Sequence, residues 1–248
     1  GVSGQYSKAA SSQVKIRNVH IYEFVAGIVV QPNADANGDF VQIEKAIIES
    51  CAYGISVGNS QSRNMRITDG YINAHTCITN STHGAQVGRL TIIENVHFGG
   101  YQWFNLGAMP YVDGLQVNAC YGESFYWLGQ FGVGISGAFP PITFNSCRFQ
   151  FGSLDSRTLS NAGSFTGNVA YMFNGCSFSG GRIYVFENNQ LANLHFRQCT
   201  FSSTTDAGEV GALPSYYQYF YRSFGFVMST YPQRTNVEQC RFFENGSA

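Results

Sequence analysis

The stretch TIIENVHFGG, residues 91–100, carries large apolar side chains in an alternation that slips once. Ile93 and Val96 are three residues apart, Val96 and Phe98 are two apart, and the polar pair Glu94-Asn95 fills the slip. A helix would repeat its apolar residues at three- and four-residue spacing, and a plain strand would alternate throughout. This stretch does neither.

The same pattern recurs along the whole chain. VKIRNVHI at 14, VQIEKAII at 41, MRITDGYI at 65, LQVNACYG at 115, ITFNSCRF at 142, YMFNGCSF at 171, LHFRQCTF at 194 and TNVEQCRF at 235 align with TIIENVHF without a gap. One column of the nine copies holds Ile16, Ile43, Ile67, Ile93, Val117, Phe144, Phe173, Phe196 and Val237. A second holds Val19, Ala46, Gly70, Val96, Cys120, Cys147, Cys176, Cys199 and Cys240, and a third holds Ile21, Ile48, Ile72, Phe98, Gly122, Phe149, Phe178, Phe201 and Phe242. Successive members of the second column lie 27, 24, 26, 24, 27, 29, 23 and 41 residues apart.

Most of those steps suit one rung of a parallel β-helix, in which each turn lays short strands on the equivalent strands of the next, about 4.8 Å away. The polar pair is then a corner between two strands. Residues such as Asn and Gly are suited to it because they tolerate positive φ. The apolar columns on either side of the corner both face inward. Further strands follow in several rungs, as in GIVV at 27, GISV at 54 and RIYVF at 182. Residues 152–168 and 203–232 read as long insertions, where binding or catalysis tends to sit. Leucine-rich repeats share this period, but their Leu-rich pattern and helical face are missing. The expected architecture is all-β: a single right-handed parallel β-helix domain of about nine rungs over residues 1–248, read as a fragment of a longer chain.

Composition agrees. The chain has 248 residues, 28 Gly, 21 Phe and 15 Tyr, with only 12% charged residues. Aromatic residues favour strands, and Gly favours corners. A net charge of −1 gives no electrostatic case for nucleic acid. No apolar run of about 18 residues marks a membrane span.

The nine copies resemble the right-handed parallel β-helix, or pectin-lyase-like, superfamily, and within it the tailspikes and virion appendages of bacteriophages. The Asn-Thr-Asp, Asp-Asp and Gly-His-Gly strings of its polygalacturonase-like members are absent here, as is the acidic cluster of its pectate-lyase-like members. The resemblance implies a homotrimer, a virion location after assembly in a host cytoplasm, and a host-surface polysaccharide as partner. A secreted location would follow if the chain were a bacterial enzyme.

Five of seven cysteines fall in the second column. Side by side on parallel strands, they suit a stack of small buried thiols better than disulfides, which fits a reducing compartment. No Cys-x-x-Cys or clustered His accompanies them, so neither a metal nor a cofactor is expected.

Three groups of residues are candidates for function. Glu44 and Glu94 share a corner column with Thr68 between them, which puts them roughly 9.6 Å apart at 4.8 Å per rung, at the upper limit of the roughly 6.5–9.5 Å of an inverting glycosidase pair. Asp69 stands next in the corner, and His75, Glu49 and His97 are near in register. The alternative is a solvated polar corner. Trp103 and Trp127 each lie seven residues after their rung's second-column member, and Tyr101 lies five after. They read either as a sugar-stacking platform or as core. Tyr216, Tyr217 and Tyr219 belong to the tyrosine-rich PSYYQYFYRSFGF, residues 214–226, which suits recognition, a packed hairpin or a protomer seam. Three readings follow: glycan recognition with or without cleavage, a polysaccharide hydrolase or lyase, and a structural stalk.

Overall fold

The computed structural model describes residues 13–30, 40–57, 64–79, 90–106, 114–123, 127–131, 142–150, 153–155, 169–179, 182–185, 192–202, 226–228 and 235–243. These residues form strands and corners, with no helix among them. The fold is an all-β parallel solenoid. Its first sheet contains nine strands, one from each copy, in chain order from Lys15–Arg17 to Thr235–Glu238. A twelve-stranded sheet carries the strands that follow each corner, from His20–Tyr22 to Arg241–Phe243, together with Ala26–Val30, Gln102–Leu106 and Trp127–Phe131. A third sheet joins Ser153–Asp155, Arg182–Val185 and Phe226–Met228.

The pairing follows the aligned columns: Ile43 faces Ile16 and Ile67, and Phe173 faces Phe144 and Phe196. Among the described residues whole turns number about four, fewer than the nine expected. Every copy supplies a first-sheet strand, but the segments that would close most turns lie outside the described residues. The two stretches read as insertions also hold regular structure, because Ser153–Asp155 and Phe226–Met228 are strands of the third sheet.

Each corner turns on one left-handed residue. Asn18, Lys45, Asp69, Asn95, Ala119, Ser146, Gly175, Gln198 and Gln239 have φ between 50° and 60°. A left-handed conformation costs a non-glycine residue roughly 1–2 kcal/mol, and the ladder offsets that cost. The N–H of Asp69 donates to Glu94 O at 3.1 Å, that of Ala119 to Asn145 O at 2.8 Å, and that of Ser146 to Asn174 O at 2.8 Å. After the corner the direction reverses: His97 N donates back to Gly70 O at 2.9 Å. Corner side chains also pair along the coil. Asn145 Nδ2 donates to Asn118 Oδ1 at 2.8 Å, and Asn174 Nδ2 to Asn145 Oδ1 at 3.0 Å.

The interior is made of the three columns. Ile43, Ile48, Ile67, Ile72 and Ile93 are buried in the first rungs, and Phe144, Phe149, Phe173, Phe178, Phe196 and Phe201 in the later ones. The later rings stack nearly parallel, with Phe144 to Phe173 at 4.8 Å and 6° and Phe173 to Phe196 at 5.0 Å and 11°. Cys120, Cys147, Cys176 and Cys199 stack inward between the two ring columns, and all seven cysteines are unpaired.

Of the two readings of Trp103, burial favours core. The residue is 0% exposed, so it cannot serve as a sugar platform, and its ring lies against Phe98 at 4.6 Å and Phe149 at 5.1 Å. The third column has Gly122 where neighbouring rungs have Phe98 and Phe149, and a Cβ built on Gly122 would fall 1.6 Å from Trp103 Cζ2. The indole fills the place of the missing column side chain.

Candidate ligand-binding face

The position just past the second column points outward on the twelve-stranded sheet. It holds His20, Ile47, Tyr71, His97, Tyr121, Arg148, Ser177, Thr200 and Arg241 on successive rungs. Three rings and a guanidinium are therefore adjacent along the coil axis. Tyr71 and His97 meet edge to face at 5.0 Å and 67°, His97 and Tyr121 meet tilted at 4.7 Å and 40°, and the Arg148 guanidinium lies 5.3 Å from the Tyr121 ring centre. The strand pleat puts the rings outside, and the rung spacing brings them into contact.

Amide side chains flank this strip. Asn73 Nδ2 donates to Tyr71 Oη at 3.3 Å, and Tyr121 Oη donates to Gln150 Oε1 at 2.6 Å. Gly99 follows Asn73 in register, and a Cβ there would lie 3.2 Å from Asn73 Cγ, so its absence lets the Asn73 amide lie over the next rung. Beyond Gly99 the chain turns at Gly100, whose φ is 99° and where a Cβ would strike Ala74 O. That turn sets Tyr101 flat against exposed His75, at 4.8 Å and 14°. Tyr101 is 37% exposed, and Tyr71, His97 and Tyr121 are half-buried. Such a surface presents aromatic area with hydroxyl, imidazole, amide and guanidinium groups, the combination that binds sugars by C–H stacking and hydroxyl pairing.

Of the residues singled out by sequence, Tyr101 belongs to this face. Trp127 pairs by backbone with Gln102, one register position away from Trp103, and its side chain lies outside the described residues. Tyr216, Tyr217 and Tyr219 lie wholly outside them. Tyr71, His97, Tyr121 and Arg148 were not singled out as a group, although the alignment that revealed the core also lines them up.

The corner carboxylates keep their expected register, Glu44 opposite Thr68 and Thr68 opposite Glu94. Each has a partner in the coil. Glu44 pairs with Arg17 and with Lys15 at 3.7 Å, Asp69 Oδ1 accepts from Asn95 Nδ2 at 2.7 Å, and Glu94 lies 4.0 Å from Arg66. The Arg17 hydrogen bond, aided by the charges of Arg17 and Lys15, holds the Glu44 carboxyl below its ordinary pKa, whereas a general acid needs a raised one. Glu49 is taken by His20 at 2.8 Å. His75 and His97 are engaged with the tyrosines of the outer face. Among the described residues, no three His, Cys, Asp or Glu side chains are grouped to hold a metal, and no helix is long and apolar enough to cross a membrane.

No protein-family model, curated protein or solved structure matches this chain.

Proposed function

We propose that this protein recognises an extended polysaccharide on a host cell surface, as a tailspike-like virion component. The observation that carries the reading is the strip Tyr71, His97, Tyr121 and Arg148, flanked by Asn73, Gln150 and the His75–Tyr101 pair. The core needs none of these side chains, yet they bring large ring area and polar rims together at the surface. Engagement of Glu44, Asp69 and Glu94 in corner contacts supports binding without cleavage. The virion location and a homotrimeric state rest on the resemblance of the nine-copy pattern to phage appendages.

An array of bacterial surface polysaccharides tests the reading. Wild-type protein should bind at least one of them, and Tyr121→Ala and His97→Ala should lose that binding while melting at nearly the wild-type temperature. No binding across the array would favour a structural stalk. Release of reducing ends, abolished by Glu94→Gln, would favour a hydrolase. Solution mass tests the trimer separately.

A further inference from the structure

The outer face changes character past the aromatic strip. Its column carries large side chains at Tyr71, His97, Tyr121 and Arg148, then two small hydroxyl residues, Ser177 and Thr200, and then Arg241. Two residues further along each strand, on the same face, Ser179 follows Gln150 and Ser202 follows Ser179. Four half-buried hydroxyl residues therefore pave two adjacent rungs, a shelf that lies between the exposed arginines Arg148 and Arg241. Those arginines stand three rungs apart, about 14 Å at 4.8 Å per rung.

Charge gives the shelf its selectivity. Among the described residues, Lys15 and Arg17 pair with Glu44, Arg66 lies 4.0 Å from Glu94 and His20 lies 2.8 Å from Glu49, whereas no carboxylate pairs with Arg148 or Arg241. Arg148 rests instead against the Tyr121 ring, which holds its guanidinium at the head of the shelf. Beside it, Gln150 Oε1 is taken by the Tyr121 hydroxyl at 2.6 Å, so the Gln150 amide has N–H donors to offer. At the far end, Arg241 and Thr200 border a cavity of about 430 Å³ whose lining includes Gln198 and Gln239. Glu123 stands opposite Gln150 in register, with its side chain outside the described residues.

We propose that this shelf is a second glycan subsite, one that takes a segment of acidic polysaccharide with carboxylates on Arg148 and Arg241. The inference rests on the glycan-recognition reading above and adds the charge and the path of the ligand. The polymer runs along the coil axis, from the aromatic strip past Arg148 and onto the shelf. There Ser177, Ser179, Thr200 and Ser202 meet its hydroxyl groups, as the few polar groups of a sugar site do. A guanidinium grips a carboxylate by two parallel, charge-assisted hydrogen bonds, roughly twice as strong as neutral ones. A neutral polymer forgoes both grips, so the arginines separate acidic chains from neutral ones.

Bacterial polysaccharides bearing hexuronate or sialate, each beside its carboxyl-reduced neutral form, test this in a surface-binding assay on the full chain. The wild type should bind at least one acidic polymer about tenfold more tightly than the reduced form. Arg148→Gln and Arg241→Gln should each weaken that binding about tenfold and flatten its fall with added NaCl, while melting as the wild type does. Ser179→Phe, which fills the shelf, should weaken it as well. Equal affinity for acidic and reduced polymers, full acidic binding by both arginine variants, or binding of phosphate-bridged polymers alone would overturn the proposal. Binding of neutral polymers alone, lost in Tyr121→Ala, would overturn it and leave the glycan-recognition reading standing, whereas no binding to any polymer would sink both.

Discussion

The protein carries ring ladders on both sides of one sheet wall, and the two differ in order. Inside, Phe149, Phe178 and Phe201 repeat at 4.8 and 5.0 Å with planes 14° and 10° apart. Outside, Tyr71, His97 and Tyr121 repeat at 5.0 and 4.7 Å, but their planes are 67° and 40° apart. The spacing is common because the backbone sets it. Of the two ladders only the inner one stacks in parallel, because the neighbouring columns leave no other space; the outer face has a parallel contact at the flanking His75–Tyr101 pair. Outside, rings can tilt to keep hydroxyl and imidazole groups in water. The inner ladder therefore holds the coil together, and the outer one carries the proposed binding surface.

The largest effects should come from breaking the inner ladder. Phe173→Ala removes a ring stacked between Phe144 and Phe196, and is expected to cost about 3–5 kcal/mol in chemical denaturation. Trp103→Ala should cost a similar amount, about 3–5 kcal/mol, yet leave polysaccharide affinity per folded molecule unchanged. Loss of affinity in folded Trp103→Ala would blur the division between the two ladders.

A smaller effect sharpens the role of the joint between aliphatic and aromatic rungs. Gly122→Ala forces a methyl group into the Trp103 ring and should cost about 1–3 kcal/mol by overpacking. In Trp103→Ala the same substitution should cost nothing or stabilise, a coupling that a double-mutant cycle measures.

At the corners, Ala119 holds φ at 50°. Relief of about 1–2 kcal/mol of strain, less about 0.5–1 kcal/mol for glycine's freedom when unfolded, gives Ala119→Gly a net gain of about 0–1.5 kcal/mol in the same denaturation assay.

The smallest effect concerns Glu44. Its folded pKa is depressed, so its contribution is present above the ordinary carboxylate range and is lost as pH falls through the depressed value. An NMR titration should place its midpoint below that of an unpaired glutamate, and Arg17→Gln should raise it.

The core was legible in the sequence because inward columns recur at near-constant spacing, and the slip at Glu94-Asn95 marked a corner before any coordinates. Trp103 was harder to place. Trp103 and Phe104 are consecutive and both buried, as Cys77 and Ile78 are on the rung before, a combination that strand periodicity does not generate. The outer strip was written in the same alignment, one column beyond the cysteines. It escaped notice because Tyr71, His97, Tyr121 and Arg148 share a role through contact rather than through residue type. Glu44 and Glu94 showed the converse: their register was readable, but their ion pairs depend on Arg17, Lys15 and Arg66, which stand elsewhere in the corner and strand columns.

Affinity of Tyr121→Ala for a bacterial surface polysaccharide that the wild type binds, measured beside its unfolding free energy, tests the separation of the two ladders most directly. Loss of binding with a stability change of only about 0.2–1 kcal/mol is the expected result, since a cross-strand pair on a sheet surface contributes no more. Full binding by Tyr121→Ala, or a stability loss as large as that of Phe173→Ala, would contradict it.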